Sequence, residues 1–174
     1  MRIVLFAYLS FCLLLTNCKG DQVSKITKET QEQIDARTIS QKDIEALRYT
    51  EFGLSSDSKK AVMDWQKFQE LQTQTSALKK GDLSFFDGDR LLFKTFLLEL
   101  ITEMPPQLQT NEISARLTAL DTKAQKLNSL LSLTNIDKAE RLQAIKEFLV
   151  TVSNLNLQIN KKFEFEKNNV LRPE

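Results

Sequence analysis

Six apolar residues, Ile113, Leu117, Leu120, Ala124, Leu127 and Leu131, follow one another at steps of four, three, four, three and four. This is the a/d spacing of a heptad seam. It commits residues 111–131 to a helix with one narrow apolar stripe, and that stripe must be covered by other helices. Within a chain of 174 residues, three heptads on one segment point to packing inside a bundle rather than to a free coiled coil.

The rest of the chain is consistent with that constraint. Four glycines and three prolines leave few turn signals, and Leu, Lys, Gln, Glu and Ala favour helix. A last helix is expected from near Ile136, with Leu142, Ile145, Leu149, Val152, Asn156, Ile159 and Phe163 on its seam. Asn156 is a polar residue at a seam position, a device that fixes register at some cost in stability. Leu155, Leu157, Ile159, Phe163 and Phe165 also alternate as a strand would, so 152–165 keeps a strand alternative, though the helical pattern is the longer one. Thr134 or Asn135 is the expected cap.

Three further helices are expected upstream. The clearest starts within Ser55, Ser56, Asp57 and Ser58, carries Ala61, Trp65, Phe68, Gln72, Thr75 and Lys79 along one face, flanked by Val62, Leu71 and Leu78, and ends at Gly81. Those serines and the aspartate are N-cap types, and glycine suits the left-handed position past a helix end. Residues 91–101 are apolar except at Lys94, Thr95 and Glu99, which predicts the most buried helix, capped by Asp87 or Asp89 and ended by Pro105 and Pro106. A short helix over 41–52, closed by Gly53, competes with a strand. The fold class is therefore an all-α, up-down antiparallel bundle of about four main helices plus a short one near its start.

The N-terminus carries an address. Arg2 precedes an apolar run, Ile3 to Leu15, which is shorter than the roughly 20 residues a bilayer-spanning helix needs and fits a signal-peptide h-region. It closes on Leu15-Thr16-Asn17-Cys18. That ending resembles the lipobox of bacterial lipoproteins, whose cysteine receives diacylglycerol and becomes the first mature residue; Asn17 departs from the usual small residue before the cysteine. The resemblance implies a signal peptide over 1–17, lipid attachment at Cys18, a membrane anchor, and a polar tether over 18–40. About 20 residues of flexible tether reach roughly 25 Å. The helical domain would then span 41–168 and a frayed tail 169–174. Lys19 after the cysteine favours the outer membrane by the same resemblance, with the body facing periplasm or cell surface. In general pattern the body resembles uncharacterised helical lipoproteins of the Bacteroidota.

Composition closes several chemistries. There is no histidine, which removes Ser-His and Cys-His nucleophile pairs, His-containing zinc sites and the Glu-x-x-His pairs of di-iron bundles. Of the two cysteines, Cys12 lies in the segment assigned to the signal, so the mature body has neither a disulfide nor a thiolate metal site. The 24 basic and 23 acidic side chains nearly balance, which argues against nucleic acid. Asp87-Gly88-Asp89 lacks the ligand spacing of a calcium loop. The Ser56 and Ser76 S-x-x-K patterns lack their companion motifs, and Glu99 and Glu103, one turn apart, read as solvated surface.

No catalytic, cofactor or metal residue is therefore assigned. Phe85 and Phe86 are read as a plug over the bundle end, with exposure to a partner as the competing role. The functional expectation is a non-enzymatic, protein-binding or scaffold lipoprotein that meets another envelope protein. The alternative is a bundle that binds a small ligand or lipid in a cavity lined by 91–101.

Overall fold

The computed structural model describes residues 37–168, which lie in one compact unit, Glu32–Glu174. Cys18, the segments 1–17 and 169–174, and most of the 18–40 tether lie outside the described residues. The described chain is all-helical, with no strand. Its elements are α1 (Gln41–Glu45), α2 (Ser56–Ala61), α3 (Gln66–Lys79), α4 (Arg90–Thr102), a 3-10 turn (Pro106–Leu108), α5 (Asn111–Leu131) and α6 (Lys138–Asn168).

The pair α5 and α6 makes the most extensive contact in the molecule. All six seam residues of α5 are buried, and its first turn is capped by Thr110, whose Oγ1 accepts from the Ile113 amide at 3.3 Å. On α6, Ile145, Leu149, Val152, Asn156 and Ile159 of the expected seam are buried, with Ala144, Phe148 and Leu155 beside them. Residues 152–165 are helical, so the strand alternative is removed. Phe163 is half-buried while Phe165 is exposed, as the helical turn between them requires. The helix starts at Lys138 rather than Ile136. Neither Thr134 nor Asn135 adjoins it; the Asp137 carbonyl takes the Glu140 and Arg141 amides instead. Across the pair, Glu147 accepts from Lys123 at 2.9 Å and Lys126 at 3.0 Å.

The long helix expected from the Ser55 region to Gly81 is two helices. A single stripe through Ala61, Trp65, Phe68, Gln72, Thr75 and Lys79 would drive Gln72 and Lys79 into the core. The chain breaks at 62–65, and α3 buries Phe68, Leu71, Thr75 and Leu78, two residues of the expected face and two of its flank. Trp65 becomes a fully buried hinge residue, stacked on Phe68. Its indole N–H donates to the Leu100 carbonyl at 3.0 Å, one of the carbonyls the end of α4 leaves open. Two amides stabilise the break: Gln69 Nε2 donates to the Val62 carbonyl and Gln107 Nε2 to that of Ala61. At the other end, Gly81 has φ of 91°. The Gly81 amide bonds to the Leu78 carbonyl and the Asp82 amide to that of Ala77, a Schellman closure. A Cβ on Gly81 would lie 3.1 Å from the Gln41 backbone nitrogen.

The expected helix over 41–52 covers only its first turns. Ser40 and Asp43 form a reciprocal capping box, and Lys138 pairs with Asp43 at 2.8 Å. After Ala46 the chain runs without regular structure to Ser55, and Gly53 ends no helix. This strap is held by one face of α6. Ser153 Oγ accepts from the Phe52 amide at 2.8 Å and donates to the Thr50 carbonyl at 2.9 Å. Asn156 Nδ2 donates to the Phe52 carbonyl at 3.0 Å, while its Oδ1 accepts from Gln72 Nε2 at 3.2 Å. Asn160 takes the Ser55 amide and donates to the Gly53 carbonyl, both at 2.8 Å. The strand alternative for this stretch is not formed. One side-chain hydroxyl and two side-chain amides supply the backbone partners that a neighbouring strand would have given.

Two outcomes follow. Asn156→Ala leaves the Phe52 carbonyl and the Gln72 amide without their partner, and is expected to lower unfolding free energy by roughly 2 kcal/mol and to speed amide exchange in 50–55. Unchanged exchange there would show that the strap is held by other means. The two lysines pull the Glu147 carboxyl from its ordinary value of 4.5 down to about 2. A depressed folded-state value gives stability that is present above about 4.5 and lost as pH falls towards about 2. In urea unfolding, wild type should exceed Glu147→Gln at neutral pH, and the gap should close near pH 2. A gap that persists in acid would contradict this assignment.

Candidate functional site

The helix expected to be the most buried is α4, and the structure corrects this. Phe93, Phe96, Leu97 and Leu100 are buried, at spacings of three, four and seven from the first, which is a single helical stripe packed on α3 and α5. On the other side Leu91, Leu92, Leu98 and Ile101 are exposed by 72%, 71%, 60% and 37%. They are four of the seven exposed large hydrophobics among the described residues, so the apolar surface is concentrated on this one helix. Composition alone cannot distinguish a helix that is surrounded from one that is bare on one side. Of the two cap candidates, Asp89 is the one used: its Oδ1 accepts from the Leu91 amide at 2.8 Å and the Leu92 amide at 3.0 Å.

The loop before α4 carries Phe85 and Phe86, and the structure separates their roles. Phe86 is fully buried and packs edge-on against Phe148, centroids 4.8 Å apart. It is a core residue and offers no side-chain surface to a partner. Phe85 is half-buried and meets Phe86, Phe93 and Phe96 edge-to-face at 5.1, 5.5 and 5.0 Å. The loop is pinned from α5 by Asn128, whose Nδ2 donates to the Phe86 carbonyl at 2.9 Å and the Gly88 carbonyl at 3.0 Å. Asn128 went unremarked in the sequence, although an amide placed one residue after the seam leucine Leu127 was the available signal.

Phe85, Phe93 and Phe96 floor an open groove of about 490 Å³ between α3 and α4, with Leu92 on its rim. Lys67 closes the other side. Its Nζ lies 2.9 Å from Glu99 and 3.3 Å from Glu70, and 5.5 Å from the centre of the Phe96 ring. Glu99, with Glu70, holds the Lys67 ammonium above its ordinary range, against a smaller opposing effect of burial. Glu99 is thus engaged with a lysine and not with Glu103. The groove combines an aromatic floor with a compensated ion cluster, which suits an apolar side chain bordered by polar groups.

The Ser76 hydroxyl donates to the Gln72 carbonyl and Lys79 pairs with Glu51, so this S-x-x-K pair is not assembled. A wider hollow of about 690 Å³ beside the end of α6 is lined by Lys161, Lys162, Glu164 and Glu166, which pair with one another. Among the described residues no group of three His, Cys, Asp or Glu could hold a metal ion, and no helix is long and apolar enough to cross a membrane. Comparison with known proteins found no matching protein-family model, no matching curated protein and no matching solved structure.

The separation of the two phenylalanines is measurable. Phe86→Ala is expected to cost about 3–5 kcal/mol in urea unfolding, and Phe85→Ala about 1–2 kcal/mol. Equal losses would mean that Phe85 is as much a core residue as Phe86.

Proposed function

We propose that this chain is a cell-envelope lipoprotein, anchored by lipid on Cys18, whose helical body is a protein-binding or scaffold module and not an enzyme. The observation that carries the binding role is the bare face of α4 beside the Phe85 groove. Concentrated exposed apolar surface of this kind marks a place where another surface docks. The groove is open to solvent, which suits a partner side chain better than a small apolar ligand that needs enclosure. The anchor rests on the lipobox resemblance of Leu15-Thr16-Asn17-Cys18. Acyl chains contribute roughly 0.8 kcal/mol per buried CH₂, so the body needs no membrane-binding surface of its own and α4 is left for a protein.

Two measurements test the parts separately. Cys18→Ser should abolish metabolic labelling with radioactive palmitate and move the protein out of the membrane fraction; a variant that stays labelled excludes this anchor. In intact cells treated with a short bifunctional crosslinker, the wild type should give discrete adducts that Leu92→Asp removes. Recovery of abundant bystanders alone, indifferent to Leu92, would sink the binding role.

A further inference from the structure

The outer face of α4 has an order that a merely bare surface would lack. Leu91, Thr95, Leu98 and Thr102 lie along it at steps of four, three and four, opposite the buried stripe of Phe93, Phe96, Leu97 and Leu100. All four are exposed. This is the spacing of the α5 seam, here turned to solvent. We infer that the seam is a self-association surface on which α4 of a second copy packs in parallel. The inference rests on the binding role proposed above and names its partner.

Two details support the seam as one built to be covered. The threonines occupy it without an unmet hydroxyl: Thr95 Oγ1 donates to the Leu91 carbonyl at 3.0 Å and Thr102 Oγ1 to the Glu99 carbonyl at 3.3 Å. Burial against a partner therefore strands no polar group. The flanks then choose both the occupant and its direction. With Leu91 and Leu98 at d and Thr95 and Thr102 at a, Lys94 falls at g and Glu99 at e. In a parallel pair each g residue faces the e residue five positions on in the partner. Lys94 of each copy thus meets Glu99 of the other, twice by symmetry. Each Glu99 is then shared between Lys67 of its own chain, at 2.9 Å, and Lys94 from across the interface. In an antiparallel pair g lies beside g and e beside e, so Lys94 meets the edge bearing Ile101 and Glu99 the edge bearing Leu92. Neither charge then finds an opposite.

A two-fold interface is self-complementary by construction, and a second copy of this chain brings the matching lysine and glutamate at the same spacing. The seam is short, so pairing is weak in free solution. Confinement of both copies to one membrane raises their effective concentration.

The test places a photo-crosslinking benzoylphenylalanine at position 98 of the full chain, co-expressed in two epitope-tagged forms in intact cells. An adduct of two mature chains that carries both tags is expected. Lys94→Glu should cut its yield about tenfold, because two attractive pairs become repulsive ones. A both-tag adduct indifferent to Lys94→Glu would overturn the parallel pairing. A discrete adduct to a different protein would overturn self-association and leave the binding role standing. No discrete adduct at position 98, with none lost on Leu92→Asp, would overturn both.

Discussion

Two asparagines buried on the long helical pair, Asn128 on α5 and Asn156 on α6, decide where the non-helical chain can lie. Asn156 sits on the α6 seam and Asn128 beside the α5 seam, and each offers an amide that must find partners or carry a desolvation penalty of about 1–3 kcal/mol. The partners are backbone groups of segments that lack regular hydrogen bonds of their own. Asn128 takes two carbonyls of the loop before α4, and Asn156 takes one from the strap. An apolar residue at either place would still allow the helices to pack. At position 128 it would take from the loop its anchor on α5, and with it the orientation of Phe85 and the start of α4; at position 156 it would leave the strap to Ser153 and Asn160 alone.

The pair works because its polar demands come from both sides at once. The strap's carbonyls and amides need donors and acceptors, and Ser153, Asn156 and Asn160 recur on α6 at steps of three and four, on one face of the helix. Gln72 closes the arrangement by donating to Asn156 from α3. A network in which every member is satisfied specifies one geometry more sharply than apolar contact does.

Legibility in the sequence varied with the source of the order. α5 runs over 111–131 as read, because its seam and its length both come from local pattern. The Asp89 cap and the Gly81 closure were legible for the same reason. The break at 62–65 was not, since Ala61, Trp65 and Phe68 suit a continuous stripe and only the polar Gln72 and Lys79 further along speak against it. The strap was illegible because its hydrogen bonds come from residues about 100 positions away. At the candidate site, the sequence pointed to the Phe85–Phe86 pair without separating the two. It also misjudged α4, because a helix apolar on most of its circumference does not announce which side will find neighbours. The outer four-three-four row was present in the letters, hidden by the stronger inner one.

The length of α6 has a consequence for how the body can be used. Its 31 residues span roughly 46 Å at 1.5 Å per residue. Asp43, near the first described residue, is bonded to Lys138 at the start of that helix, and the last described residue, Asn168, stands at its far end. The helix is thus a strut. A pull between α1 at Asp43 and the last described turn at Asn168 would load α6 along its axis before it disturbed the grooves on its flank.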